Sequence, residues 1–283
     1  DADRIVFFSE SSSSLTNLLD GDKIAILIAH VFQRLLSSEQ EEHHDSSSKS
    51  SSAFANIKMG IVQTAYANGA STDFVTSTLK LPVLIAKTGV KHLHHAAVHN
   101  FDIGIYFEAN GHGTVVFSKE FEKAVESSTT TSSTCNNRTA LVFRHLHQLI
   151  NPAVGDALCD MLLVDYLLQT QQPQRWSLTD WNTKLYQDLP SRMLKVSVKD
   201  RSIIRCNDNE TKCLEPTSVQ PLLETAMTQT PQGRTFIRPS GTEDVVRVYA
   251  EAATRNDADA LAIQAAQIVY DTCGGVGDRP TTS

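Results

Sequence analysis

VLIAKTGVKHLHHAAVHNFDIGIYFEANGHGTVVFS, residues 83–118, decides the fold class. Val83 to Ala86 is an apolar run of strand type, Lys87-Thr88-Gly89 interrupts it, and a helix is expected through Lys91 to Val98. A second apolar run, Phe101 to Phe107, leads into a glycine-rich turn, and Gly113 to Ser118 reads as an antiparallel return. Upstream the same alternation holds, with a strand at Ile57 to Thr64 and a helix around Phe74 to Leu79. Strands alternating with helices in this way predict an α/β layer with a mostly parallel sheet.

Further out, Ile5 to Phe8 is a short strand-type run, and Asp20-Gly21-Asp22 opens a helix from Lys23 to about Leu36. Ile24, Leu27, Ile28, Val31 and Leu35 recur at spacings of three and four, which predicts one buried face. Ser37 to Ser52 is expected as a mobile low-complexity loop and Ser127 to Asn137 as a second one. Leu158 to Leu168 continues as helix, and Gln169 to Arg175 reads as a linker. Beyond it a small α+β unit is expected. Its strands lie near Leu194 to Val198, Ile203 to Cys206, Thr235 to Ile237 and Val245 to Ala252, with a helix near Val219 to Thr228. A last helix starts after Asn256, carries Asp257 and Asp259 in its first turn, and stops before Gly274-Gly275.

The chain has 283 residues, enough for two domains, with 41% apolar and 20% charged content. No membrane-spanning stretch and no secretory pattern are visible, so a cytoplasmic protein is expected. Five scattered cysteines without a C-x-x-C pair argue for reduced thiols over a disulfide framework or a zinc site. A net charge of −7 excludes nucleic acid as the expected partner, yet a small anion can still be drawn by a few arginines in one cleft.

Four loops carry chemistry. In Arg238-Pro239-Ser240-Gly241-Thr242-Glu243-Asp244-Val245-Val246-Arg247, two guanidinium forks bracket a turn that offers hydroxyls at Ser240 and Thr242 and a pliable backbone at Gly241. That is the donor set a phosphate dianion needs. In Glu108-Ala109-Asn110-Gly111-His112-Gly113, at the carboxyl end of a strand, Glu108 can accept two sugar hydroxyls and Asn110 can donate and accept. Asp1-Ala2-Asp3-Arg4 places carboxylates two apart, as hard cations such as Mg²⁺ prefer. In Lys87 to His95, followed by His99, the clustered His92, His94, His95 and His99 suit either a metal or a helix at a cleft edge.

Together these loops resemble those of the α-D-phosphohexomutases. The Arg238–Arg247 string is similar to the phosphate-binding loop of that family's last domain. Asp1 and Asp3 match the second and third metal-binding aspartates of its D-G-D-x-D-R loop, Arg4 matches the arginine beside them, and the first aspartate is missing. Glu108 to Gly113 resembles the sugar-binding loop, in which relatives acting on glucose or mannose phosphates carry serine at the place of Asn110, so asparagine points to an N-acetylated sugar. Thr88-Gly89 matches a loop lining the active site, so that Lys91 or His92 would contact phosphate or assist proton transfer, with His112 as the other acid–base candidate.

The resemblance implies a three-layer α/β/α domain with a mixed sheet, followed by a small α+β domain of the TATA-box-binding-protein-like type. Residues 1–20 would be the tail of a metal-binding domain, 21–175 the sugar-binding domain and 176–283 the phosphate-binding domain. It further implies a phosphosugar substrate, Mg²⁺, a hexose bisphosphate activator, and N-terminal domains carrying a phosphoserine that gives its phosphoryl group to the sugar. Nothing among these residues matches the family's T-x-S-H-N-P serine loop, so the chain alone is expected to bind sugar phosphate without turning it over. The alternatives are action on plain glucose or mannose phosphates, and a non-catalytic phosphosugar-binding role.

Overall fold

Strands buried on both faces need helices on both faces, and the computed structural model meets that demand in one half of the chain. It describes residues 2–10, 16–44, 53–130 and 138–281. Contacts divide the chain into two units. The first takes in the chain up to Gln63, Ser71–Leu84 and Gly89–Gln187, and the second takes in Thr64–Ala70, Ile85–Thr88 and the chain from Asp188 onward. No helix of the described residues is long and apolar enough to cross a membrane.

The first unit opens with an antiparallel hairpin, β1 (Phe7–Glu10) and β2 (Thr16–Leu19), followed by α1 (Gly21–His44). Then come β3 (Met59–Thr64), α2 (Gly69–Asp73) running into a π-helical turn at Phe74–Thr78, β4 (Val83–Ala86), α3 (Val90–Asn100), β5 (Ile103–Phe107) and β6 (Gly113–Phe117), of which Thr64, Gly69, Ala70, Ile85 and Ala86 count with the second unit. Four helices complete it: α4 (Lys119–Thr130), α5 (Arg138–Leu149), α6 (Ala157–Gln169) and α7 (Leu178–Lys184).

The sheet order is β4-β3-β5-β6. β3 and β5 are parallel with Met59 opposite Ile103, and β5 and β6 are antiparallel with Phe107 opposite Gly113. The sheet is therefore mixed. Every residue of β5 is buried, and because successive side chains point to opposite faces, both faces must be covered. α1 and α3 both lie against β5.

Asp20 starts α1 by accepting from the Asp22 and Lys23 amides at 3.0 and 3.3 Å. The helix is buried all round from Gly21 to Ala29, not on one stripe as its spacing predicts, because the sheet, α5 and α6 surround it. Even Lys23 is enclosed, its Nζ donating to Tyr186 O at 2.8 Å and lying 3.7 Å from that ring's centroid. The loop expected from Ser37 is helical up to His44: Ser38 Oγ turns back to Leu35 O and Glu39 is buried. The rest of that expected loop, residues 45–52, lies outside the described residues. Likewise α4 continues through Thr130 where a loop from Ser127 is expected, and residues 131–137 are outside the description. Phe121, Phe32 and Phe54 close around Phe143, at centroid distances of 5.3, 5.3 and 5.8 Å.

The expected division at 175/176 differs from the observed one at 187/188. A Ser177/Asp180 capping box starts α7, and its Trp181 is fully buried, donating to Lys23 O and meeting Phe7 edge-on at 5.5 Å. These contacts hold residues 176–187 in the first unit, and Ile5, bonded to Gly111 O, holds the N-terminal segment there too.

The second unit contains β7 (Ser191–Ser197), β8 (Arg205–Cys206), β9 (Cys213–Glu215), α8 (Val219–Thr228), β10 (Arg234–Pro239), β11 (Val245–Glu251) and α9 (Arg255–Thr272). Its main sheet is antiparallel, β10-β11-β7, and one face buries Val196, Ile237, Val246 and Val248 against Leu223, Ala265 and Val269 of α8 and α9. The strand expected from Ile203 shrinks to Arg205–Cys206, because Asp200 accepts from the Ser202 amide and caps a 3-10 turn at Arg201–Ile203. α9 begins at Arg255, not after Asn256, since Thr254 accepts from the Asp257 amide.

Asp160, in the first turn of α6, is buried, and its Oδ2 has no hydrogen-bond partner. Burial, with Asp156 nearby, pushes its carboxyl up to about 7. Such a group keeps its proton in the folded chain while the unfolded chain releases it, so stability falls as pH rises from about 4 to about 7, by about 4 kcal/mol at most. Asp160→Asn is therefore expected to stabilise the protein by about 1–4 kcal/mol at pH 8 and by less than about 0.5 kcal/mol at pH 4, as measured by urea unfolding at both values.

Candidate functional site

The Arg238–Arg247 loop joins β10 to β11, and the register sets Arg238 directly opposite Arg247. On the other side of β11, Arg247 is directly opposite Lys195 of β7. Direct cross-strand partners project to one face with Cβ atoms about 4.5–5.5 Å apart, so three cations form a row across three strands. Like charges so placed destabilise a sheet unless an anion answers them. Around the turn Ser240 is buried, and its amide donates to Val245 O at 2.9 Å, so that N–H stays in the hairpin and does not face into a concavity. Thr242 is exposed, its amide 3.4 Å from Ser240 Oγ. A Cβ on Gly241 would meet nothing within 4 Å, and its φ lies outside the left-handed region. The protein itself places no demand for glycine there; open backbone beside two arginines is room for something else.

Arg238 does not stand alone. Its Nε lies 2.9 Å from Glu210 Oε2, close enough for an ion pair, while the N–H direction misses the carboxylate and leaves that buried atom without a hydrogen bond. The distance decides the electrostatics and the angle decides the directionality, so we read the contact as an ion pair. Burial works against the guanidinium charge, but Glu210 and Tyr66 beside it raise its pKa overall. Burial likewise opposes the Glu210 carboxylate, yet hydrogen bonds from Thr88 and the charge of Arg238 bring it below the usual range. The Thr88 amide, at 3.1 Å, and the Thr88 hydroxyl both donate to Glu210 Oε2. Tyr66 OH is buried without a hydrogen bond, and burial raises its pKa against the opposing charge of Arg238.

In the first unit the Glu108 to Gly113 turn is closed by Glu108 N to His112 O at 2.9 Å and Gly111 N to Glu108 O at 2.9 Å. One Glu108 oxygen accepts from the Gly89 amide at 3.1 Å and the other from Asn110 Nδ2 at 3.4 Å, while Asn110 Oδ1 accepts from the His112 amide at 3.0 Å. Gly89 stands at the N-terminus of α3 with φ +119, a value that requires glycine. The next turn carries Lys91, exposed, and His92, half-buried. His112 Nδ1 is 3.8 Å from Asp3 Oδ2, and Arg4 is exposed.

Asp3, Gly89, Glu108, Asn110 and His112 thus come together in the first unit, and Thr88, Arg238, Ser240, Gly241, Thr242 and Arg247 belong to the second. Asp1 lies outside the described residues. Among those described, no group of three or more His, Cys, Asp or Glu side chains is placed to hold a metal. The remaining histidines of α3 are engaged locally: His94 Nδ1 meets Tyr106 OH at 2.9 Å, and His99 Nδ1 bonds His95 O at 2.8 Å. Sequence reading missed Glu210, Tyr66 and Lys195. A period-two pattern places Lys195 on a strand face, but only the register sets it beside Arg247.

Comparison with known proteins identifies relatives of the chain. Residues 20–173 match the family model "Phosphoacetylglucosamine mutase AMG1, domain III", and residues 206–268 match "Phosphoglucomutase/phosphomannomutase, C-terminal domain". The chain is similar to phosphoacetylglucosamine mutase of Homo sapiens, 41% identical over 280 residues, covering 99% of this chain and 48% of the relative. It is also similar to that of Arabidopsis thaliana, 46% identical over 282 residues, covering 97% and 48%. Among solved structures, N-acetylphosphoglucosamine mutase of Aspergillus fumigatus in complex with GlcNAc-6P and magnesium superposes with a TM-score of 0.84 at 42% identity, covering 96% of this chain and 47% of that one. The chain spans about half the length of the curated relatives it matches.

The Glu108–Gly113 turn rests on the N-terminal segment at Gly111, whose φ is +83 and where a Cβ would fall 1.8 Å from Ile5 O. Gly277 has φ +84 with nothing within 4 Å. Gly111→Ala is therefore expected to lose about 2 kcal/mol or more and Gly277→Ala about 1 kcal/mol, measured by thermal unfolding, since only the first adds a clash to the strain.

Proposed function

The chain belongs to the phosphoacetylglucosamine mutase family, and from that premise we propose that it forms the sugar-reading and phosphate-holding half of an enzyme that interconverts N-acetylglucosamine 6-phosphate and N-acetylglucosamine 1-phosphate for UDP-N-acetylglucosamine synthesis. One observation carries the reading: Arg238 and Arg247 are directly opposed across β10 and β11 beside an open glycine. Two planar forks and two hydroxyls fit a phosphate dianion better than any neutral ligand. This socket takes the phosphate that does not react.

Glu108 and Asn110 read the sugar. Glu108 is already oriented by the Gly89 amide, so less ordering is needed when it accepts hydroxyl protons, and Asn110 can donate to an acetamido carbonyl. The oxygen donors Asp1 and Asp3 have the chemistry for Mg²⁺, with a further ligand required from outside these residues. When bound, the ion would offset charge on the transferring phosphoryl group. Arg4 stands beside that loop as a further cation for phosphate. His112, beside Asp3, and Lys91 or His92 at the start of α3 would carry protons to and from the sugar hydroxyl.

The nucleophilic phosphoserine has no match among the 283 residues, so turnover is a property of the complete enzyme, primed by hexose bisphosphate. The chain alone binds without turnover. The full burial of β5 supports a three-layer α/β/α reading of the first unit, and a three-stranded antiparallel sheet backed by α8 and α9 supports a TATA-box-binding-protein-like reading of the second. The free thiols of Cys159, Cys206, Cys213 and Cys273 fit a cytoplasmic setting.

Calorimetric titration of the chain with N-acetylglucosamine 6-phosphate, glucose 6-phosphate and inorganic phosphate tests the reading. The acetylated ligand is expected to bind tightest, and Arg238→Ala or Arg247→Ala to weaken it about 10- to 100-fold. Equal affinity for the plain hexose phosphate would shift the assignment to a phosphoglucomutase or phosphomannomutase. Unchanged affinity in both arginine variants would remove the socket's role.

A further inference from the structure

We propose that Glu210 is a positioning residue for the phosphate socket: its buried carboxylate holds the Arg238 guanidinium and the Thr88 amide and hydroxyl as one preformed array. The inference rests on the phosphate reading of the socket given above. Glu210 sits on the β8–β9 turn, which is heavily cross-linked. Asn207 Oδ1 accepts from the Thr211 and Lys212 amides, both at 2.9 Å, the Glu210 amide donates to Asn207 O at 2.9 Å, and Thr211 Oγ1 reaches Asn209 Oδ1 at 2.7 Å. Within this frame Glu210 has φ +58, a left-handed conformation that is strained for a glutamate. A turn that merely reverses the chain gains nothing from strain at a buried acidic residue. Here the strain aims the carboxylate at Thr88 and Arg238.

Charge explains why a carboxylate belongs at this place. Arg238, Arg247 and Lys195 stand in one cross-strand row, and before an anion arrives their repulsion would splay the side chains toward water. Glu210 neutralises the end of that row. It meets Arg238 at the Nε edge, 2.9 Å away, and Tyr66 lies beside the same guanidinium. A free arginine side chain carries rotamer entropy, part of which would otherwise be lost on binding. The opposite reading makes Glu210 a competitor that occupies Arg238 and must be displaced. The two readings differ in sign.

The test uses the 283-residue chain, Glu210→Gln, Thr88→Val and the double variant, with N-acetylglucosamine 6-phosphate as the calorimetric probe. Without ligand, the Arg238 Nε–H signal is followed by ¹⁵N NMR. Positioning predicts that Glu210→Gln weakens binding about tenfold and broadens the Arg238 signal. Thr88→Val should weaken binding several-fold and broaden the same signal, and the double variant should bind no worse than Glu210→Gln, because both changes break one array. Should Glu210→Gln fail to fold, Thr88→Val with its ligand-free spectrum carries the test. Tighter binding by Glu210→Gln, additive losses in the double variant, or an Arg238 signal unchanged in both single variants would overturn the role of Glu210. Failure of the unaltered chain to bind the probe would overturn the phosphate reading of the socket, and with it the use assigned to this residue.

Discussion

A carboxylate taken out of water must be met by donors or it forfeits several kcal/mol, and the second unit is organised around one that is fully met. Glu251, only 1% exposed, accepts from Arg234 Nε at 2.7 Å and Nη2 at 3.1 Å, from Tyr249 OH at 2.7 Å and from the Gly69 amide at 3.0 Å. Arg234 directs its other donors to Ala65 O and Ala67 O, at 2.9 and 2.6 Å. The loop 64–70 is thereby fixed on the outer face of the β10-β11 ladder, and Gly69 approaches so closely that a Cβ would lie 2.3 Å from Glu251 Oε1. Tyr66 follows from this placement. It packs edge-on against Phe236 and Tyr249 at 5.0 and 6.0 Å, one alternate position along each strand from Arg238 and Arg247. The apolar half of that face and the cationic half are therefore ordered by the same ion pair.

The same constraint recurs at each loop with chemistry. Asp102 ties the start of β5 to its neighbours by accepting from the Lys58 amide at 2.9 Å and from Ser118 Oγ at 2.7 Å. Glu108 closes the turn that follows β5 and holds the glycine that starts α3. Glu210 does for Thr88 and Arg238 what Glu251 does for the loop 64–70. Asp160 is the exception: its Oδ2 has no partner, and its carboxyl accordingly titrates near neutrality instead of staying ionised. The contrast separates carboxylates that anchor loops from one that is merely enclosed.

What was legible in the sequence is what depends on local pattern. The runs at Val83–Ala86 and Ile103–Phe107, the helix between them, the return strand and the helix Val219–Thr228 follow from period and punctuation alone. The two arginines that bracket a turn were visible because a hairpin makes flanking residues neighbours. Illegible were features set by distant partners. Polar composition at 37–44 reads as loop, yet burial of Glu39 and the preceding helix carry the chain on to His44. The β7–β11 register cannot be read from either strand, so Lys195 gave no signal. Glu210 looks like any acidic residue in an Asn-rich turn, and its function lies in a contact with Thr88 across 122 positions of sequence.

The row of Arg238, Arg247 and Lys195 concentrates positive charge on one face of the sheet. Like charges on directly opposed strand positions repel, less the farther their side chains reach into water, so the Arg238–Arg247 pair carries a cost that a shared anion would remove. A dianion between such forks removes the penalty and adds two charge-assisted contacts, whereas a neutral sugar does neither. Pairing every cation with its own carboxylate would abolish the penalty and the selectivity together. With one carboxylate, Glu210, placed at one end of the row, the fold stays tolerable without ligand while Arg247 remains exposed and available. On the phosphate reading proposed above, this partial neutralisation is what would let the face select an anion.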